Sequence, residues 1–169
     1  MYKLKIAYTG SHGTGKTTSV YETAQKMKLQ HPNKSVGILT ENAKDSPFNI
    51  NKNTCNKSQL WIFTNQISRE LELETKYDIL ICDRTIMDSI AYTMHSASMD
   101  LSEKMYELAI KHMSSYSEVF FKTIQKNNFL IEDGVRDGTD RQYQQEIEDK
   151  LKALYDSYTS KYPLIIHYI

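Results

Sequence analysis

Short apolar runs alternate along the chain with longer stretches in which apolar residues recur every three or four positions. The runs predict strands at Leu4 to Thr9, Ser35 to Leu39, Ile79 to Cys82, Val119 to Thr123 and Leu164 to Tyr168. Helical spacing joins Val20, Ala24 and Met27 on one face, Leu60, Phe63, Ile67 and Leu71 on a second, and Met105, Leu108, His112 and Met113 on a third. Ile147, Leu151, Leu154 and Tyr158 form a fourth, on a helix that Asp137, Thr139 or Asp140 would cap. Strands that are apolar throughout need cover on both faces, and strands alternating with helices are joined by crossovers. The fold class is therefore α/β with a parallel sheet. Residues 41–57, ENAKDSPFNINKNTCNK, carry five Asn and no apolar period and read as a long loop.

Composition narrows the function more than the fold. A chain of 169 residues is the size of one domain and can bury a core without disulfides. Cys55 and Cys82 have no metal-ligand spacing, which suits a reducing compartment. The start, MYKLKIAYTG, reads as a first strand rather than a secretory signal, and no apolar run approaches bilayer-spanning length, so the expected location is cytoplasmic with no membrane partner. Twenty-one basic residues balance 21 acidic ones, which disfavours duplex nucleic acid and favours a small ligand. A local Lys groove remains compatible with that balance.

The strongest chemical signal is GSHGTGKTT, residues 10 to 18, directly after the first strand and at the start of the first helix. Gly10, Gly15, Lys16 and Thr17 match G-x-x-x-x-G-K-[ST]. Glycines allow successive backbone N–H groups to turn inward around an anion, and the following helix adds unpaired N–H groups and the positive end of its dipole. The whole run of Ser11, His12, Gly13 and Thr14 with those fixed positions would enclose a polyphosphate. Lys16 would bridge the terminal phosphates, Thr17 would ligate magnesium and Thr18 would reach the α-phosphate. The ligand expected is ATP with Mg2+.

Ligands of a parallel sheet collect beyond the carboxyl ends of its strands. Asp83 ends the strand in YDILICDRT, so it should emerge beside the phosphate loop as the second magnesium ligand, with Arg84 facing an anionic or developing charge. The same two residues would also fit an ordinary strand-end surface pair. Glu41, after VGILT, is a base for an acceptor hydroxyl or else an exposed loop carboxylate. Asp88 and Tyr92, one helical turn apart, either line the acceptor pocket or serve packing and capping.

These motifs resemble the nucleoside and nucleotide kinase group of P-loop proteins. LTEN is similar to the strand-end Glu of deoxynucleoside kinases and of the NadR-like ATPase/kinase family. CDRTIMDSIAY is similar both to thymidylate kinases and to the Asp-Arg region of the NadR-like family, and this segment does not separate the two. NNFLIEDGVRDGTDRQYQQEIEDKLKALYDSY resembles the lid and closing helix of ribosylnicotinamide kinase domains. The resemblance implies a five-stranded parallel sheet within one domain of residues 1–169, and a small lid near residues 132–142. In that lid Arg136, with Arg141, would meet the phosphoryl group in flight; both also fit a decorated helix start. SQLWIFTNQISREL resembles the helix that supplies a base-reading Gln in deoxynucleoside kinases, which maps to Gln66, and Trp61 would stack on a base or simply pack. His12 stands where thymidylate kinases usually carry Asp, and residues 42–57 lack their extended substrate motif.

The reaction these residues imply is transfer of the γ-phosphoryl group of ATP to a nucleoside, a nucleotide or a related ribosylated base. Lys16, Glu41, Asp83, Arg84 and Arg136 would be catalytic. Two rivals remain open: a nucleotide-dependent regulatory ATPase with no small acceptor, and a kinase acting on a hydroxyl in DNA. A homodimer is also left open.

Overall fold

In the central strand, β1 (Leu4–Thr9), Ile6 and Tyr8 pack toward one face of the sheet and Ala7 toward the other, and all three are buried. The computed structural model describes residues 3–50, 54–96, 98–125 and 141–169. The other strands are β2 (Val36–Leu39), β3 (Ile79–Asp83), β4 (Glu118–Phe121) and β5 (Ile165–Tyr168). All pairs are parallel, in the order β2-β3-β1-β4-β5. The five predicted strands are all present. β4 ends at Phe121, two residues short of the expected end, although the Thr123 N–H still donates to the carbonyl of Ile169, at 2.8 Å.

Helices cover both faces. α1 (Lys16–Gln30) lays Val20 and Ala24 against Ile6, Tyr8, Ile79 and Ile81. On the opposite face lie α2 (Asn56–Lys76), α3 (Ile86–Ser96), α4 (Met99–Met113) and α5 (Arg141–Thr159). There Phe63, Ile90, Met105 and Leu151 meet Leu80, Val119 and Phe121 in the larger core. Full burial of one such side chain contributes about 1.5–3 kcal/mol. Among the described residues of the span 41–57 the structure adds a 3-10 turn, Ala43–Asp45, and the start of α2 at Asn56. The residues proposed to cap the last helix, Asp137, Thr139 and Asp140, lie outside the described residues.

The predicted face of α2 needs correction. Leu60 and Leu71 are half exposed, while Gln59, Ile62, Phe63, Gln66 and Glu70 form the buried stripe. Burial of Lys5 within β1 explains this rotation, because a charge taken out of water needs a partner. Lys5 donates to Glu70 Oε2 at 2.7 Å, and the other donors to Glu70 are His112 Nε2, at 2.8 Å, with Gln66 Nε2 and the Tyr116 hydroxyl, both at 2.7 Å. Burial opposes charge on Glu70, yet the hydrogen bond from His112 and the charge of Lys5 prevail and hold its carboxyl below the ordinary range. A helix that reads as amphipathic in sequence thus turns a polar stripe inward. In α4, Leu108 points outward and Met105, Ala109 and Met113 inward.

Candidate active site

β1, β2, β3 and β4 end on one side of the sheet, and the segments that follow them converge there. The phosphate loop leaves β1 at Gly10 and joins α1 through Gly15, with left-handed backbone at Gly13 (φ 72) and Gly15 (φ 76). Gly10 cannot be replaced easily: a Cβ there would lie 2.4 Å from the carbonyl oxygen of Lys122, on top of a positive φ of 135. Ser11, His12, Thr14 and Lys16 are buried, while Gly13, Gly15, Thr17 and Thr18 face solvent along the rim. The Lys16 ammonium lies inside the curl, donating to the Ser11 carbonyl at 2.5 Å and the Thr14 hydroxyl at 3.3 Å. The loop is braced from α5, where the Ser11 hydroxyl donates to the Gln144 carbonyl and Gln144 Nε2 to the His12 carbonyl, at 2.8 and 2.6 Å.

Parallel pairing brings the end of β3 beside this loop, with Asp83 in register with Tyr8. The Thr17 hydroxyl donates to Asp83 Oδ2 at 2.5 Å, so the two residues expected to hold magnesium are adjacent. Asp83 Oδ1 is buried without a hydrogen-bond partner among the described residues, which is the kind of oxygen a hard cation satisfies. No group of three His, Cys, Asp or Glu side chains among the described residues could cage a metal alone. A site of one hydroxyl and one carboxylate fits magnesium that takes its remaining oxygens from phosphate and water.

Arg84 has a left-handed backbone (φ 96), costly for a residue with a Cβ. The conformation is held at both ends: its N–H donates to Tyr8 O at 2.9 Å, and its carbonyl accepts from Gln66 Nε2 at 3.4 Å. The result aims the buried guanidinium between two carboxylates. Nε donates to Glu41 Oε1 at 2.8 Å and Nη1 to Asp88 Oδ1 at 3.0 Å, with the Tyr92 ring centroid 5.3 Å from Cζ. Burial disfavours the charge, but Tyr92, Asp88 and Asp83 outweigh it and raise the pKa further above the ordinary arginine value. Burial also pushes the Tyr92 phenol up, to about 12, so it is neutral at physiological pH. Asp88 both lines the pocket and anchors the turn into α3: its Oδ2 accepts from the Thr9 hydroxyl and the Thr85 N–H, at 2.8 and 2.9 Å.

A pocket opens in front of this pair, walled by Glu41, Arg84, Asp88, Tyr92 and Tyr143, with Ile50 and Ile62 as its apolar side. Gln59 also lines it, whereas Gln66, two turns along the same stripe, is engaged with Glu70 and the Arg84 carbonyl. Trp61 is half-buried and does not line the pocket. Arg141 opens α5, exposed, and Arg136 with most of the expected lid lies outside the described residues. Gln59 and Tyr143 went unselected in the sequence. The seven-residue spacing from Gln59 to Gln66 was the available signal for the first, and α5's position next to the loop emerges only from the fold.

A family model described as an AAA domain matches residues 5–167. The chain belongs to this AAA-domain family. For a domain with this phosphate loop, membership implies nucleotide binding. Several solved structures resemble this AAA-domain protein in fold. Deoxyadenosine kinase from M. mycoides, with products dCMP and a flexible dCDP bound, is 16% identical, with TM-score 0.65 over 96% of this chain and 88% of that one. Thymidylate kinase from Ehrlichia chaffeensis is 16% identical, with TM-score 0.69 over 100% and 93%. The NadR protein in complex with NR is 17% identical, with TM-score 0.74 over 98% of this chain and 45% of that chain. At such identities the likeness is one of fold, that of the P-loop nucleoside and nucleotide kinase group. A comparison with curated proteins finds no match. No helix among the described residues is long and apolar enough to cross a membrane.

Proposed function

We propose that this AAA-domain protein is an ATP-dependent kinase whose acceptor is the primary hydroxyl of a nucleoside or related ribosylated base. The observation that carries this reading is the Glu41–Arg84–Asp88 arrangement facing the pocket next to the phosphate loop. Among the described residues, two carboxylates flank one guanidinium in this part of the pocket, a local excess of about one negative charge counting each group in its ordinary ionised state. A phosphate dianion would be repelled there, while a neutral or cationic nucleoside would not. The rings of Tyr92 and Tyr143, 6.2 Å apart, with Ile50 and Ile62 offer the flat apolar walls that a base requires, and the Gln59 amide offers it hydrogen bonds.

In the proposed reaction the acceptor oxygen attacks the γ-phosphorus as its proton passes to the Glu41 carboxylate. The new O–P bond forms as the bond to the bridging β–γ oxygen breaks, and ADP leaves with the electron pair. Arg84 holds Glu41 in place and offers N–H groups toward the transferred phosphoryl oxygens. Lys16 meets the negative charge at the β–γ end. Thr17 and Asp83 would hold magnesium, which when bound neutralises phosphate charge. Arg136 and Arg141 are proposed, from the motif resemblance, to add positive charge when a lid closes.

The test is a panel of nucleosides, including nicotinamide riboside, and their 5′-monophosphates, incubated with ATP and magnesium and read by mass spectrometry. The reading expects phosphorylation of at least one nucleoside and little or none of the monophosphates. Exclusive use of monophosphates would refute the charge argument. ATP loss as free phosphate with every acceptor untouched would support the regulatory ATPase instead.

A further inference from the structure

Lys122, just beyond β4, is not among the residues the phosphate-loop motif or the acceptor pocket explains. Its backbone is fixed beside the loop, since its N–H donates to Thr9 O at 2.9 Å and its carbonyl closes over Gly10. Its side chain then runs along the outside of the loop toward α1. The ammonium donates to the Ser19 hydroxyl at 2.8 Å and lies 3.9 Å from the point where a Cβ on Gly15 would stand. That hydroxyl is its side-chain partner among the described residues, and no carboxylate there lies within ion-pair reach. A half-buried ammonium therefore sits at the positive end of the α1 dipole with no counter-charge among the described residues, an arrangement unfavourable until an anion arrives.

Sheet order says which anion fits. β3 and β4 flank β1 on opposite sides. The Thr17–Asp83 pair and the acceptor pocket lie on the β3 side, so a triphosphate aligned for transfer has its γ end there. Its α-phosphate must leave toward β4, past Gly15 and Ser19, where Lys122 stands. We propose that Lys122 is a donor-positioning residue: its ammonium exchanges the Ser19 hydroxyl for an α-phosphate oxygen of the bound nucleotide and fixes the end of the polyphosphate that does not react. This rests on the nucleotide-binding reading of the loop and is independent of which acceptor is used.

Isothermal calorimetry of ADP with magnesium, on wild type, Lys122→Gln and Lys122→Arg, tests it. One charge-assisted hydrogen bond corresponds to roughly a tenfold or larger change in affinity. Lys122→Gln should bind ADP about tenfold more weakly, with a smaller dependence on salt, and Lys122→Arg should recover most of the loss. Thermal melting of both variants should match wild type, because the contacts that close on Gly10 are made by the backbone of residue 122. Unchanged ADP affinity in Lys122→Gln, or an equal loss in Lys122→Arg, would overturn the assignment. Failure of the wild-type chain itself to bind ADP would instead sink the nucleotide reading beneath it.

Discussion

Arg84 shows how much of the site depends on single side chains. Its positive φ costs on the order of 1–3 kcal/mol, and the turn of chain it creates directs the guanidinium to Glu41 and Asp88 rather than to solvent. If Glu41 is the base, replacing it with Gln removes the proton acceptor while keeping the shape and a hydrogen bond to Arg84. Glu41→Gln should lower kcat about 10²–10⁴-fold and leave ADP affinity within a factor of two, measured by steady-state kinetics and calorimetry. A variant with near-wild-type turnover would remove Glu41 from the chemistry. Local chemistry of this kind was legible in the sequence wherever it came as a short contiguous motif at a strand end. Thr17 and Asp83 were paired on that basis, and the structure places them 2.5 Å apart. Gln59 and Gln66 were not distinguishable, because both lie on one helical stripe and only depth in the fold decides which faces the pocket.

Among the elements, the β1–loop–α1 unit and the end of β4 form a single mechanical piece. Gly10 passes so close to Lys122 that a methyl group has no room, and the clash is with backbone, which cannot swing aside. Gly10→Ala is therefore expected to destabilise the fold by more than about 1 kcal/mol and to weaken ADP binding, as read by chemical denaturation and calorimetry. Stability and binding both unchanged would mean that the loop is looser than this packing allows. Strand positions followed from apolar runs with errors of one or two residues. Helix α2 was harder, since its inward stripe contains Gln59, Gln66 and Glu70, and a hydrophobic pattern has no means of registering a polar stripe turned toward a buried lysine.

At the scale of the molecule, the Lys5–Glu70–His112–Tyr116 cluster joins β1, α2, α4 and the entry to β4. Through Gln66 it also reaches the carbonyl of Arg84, so the charged core and the site share a support. Glu70 has a folded pKa below its ordinary value, with burial opposing the shift and His112 and Lys5 producing it. Its stabilisation is accordingly complete above the unfolded carboxylate pKa of ~4.3 and fades as pH falls through the lower folded value. Glu70→Gln should cost about 3–5 kcal/mol near neutrality, because it takes the fully buried carboxylate away from buried Lys5 and leaves that lysine, among the described residues, only the partly exposed Glu74. Urea denaturation across pH should show the gap between wild type and variant narrowing once pH drops below ~4.3. A gap that stays constant to pH 3 would mean that Glu70 is not held in its charged form by this cluster.

The most direct test of the whole account is a crystal structure of the chain with magnesium, a non-hydrolysable ATP analogue and the nucleoside that the acceptor panel selects. The account predicts the polyphosphate within the curl of residues 10–17, and the acceptor hydroxyl about 3 Å from Glu41 and about 3–3.5 Å from the γ-phosphorus. A polyphosphate bound elsewhere, or an acceptor whose hydroxyl points away from Glu41, would contradict it.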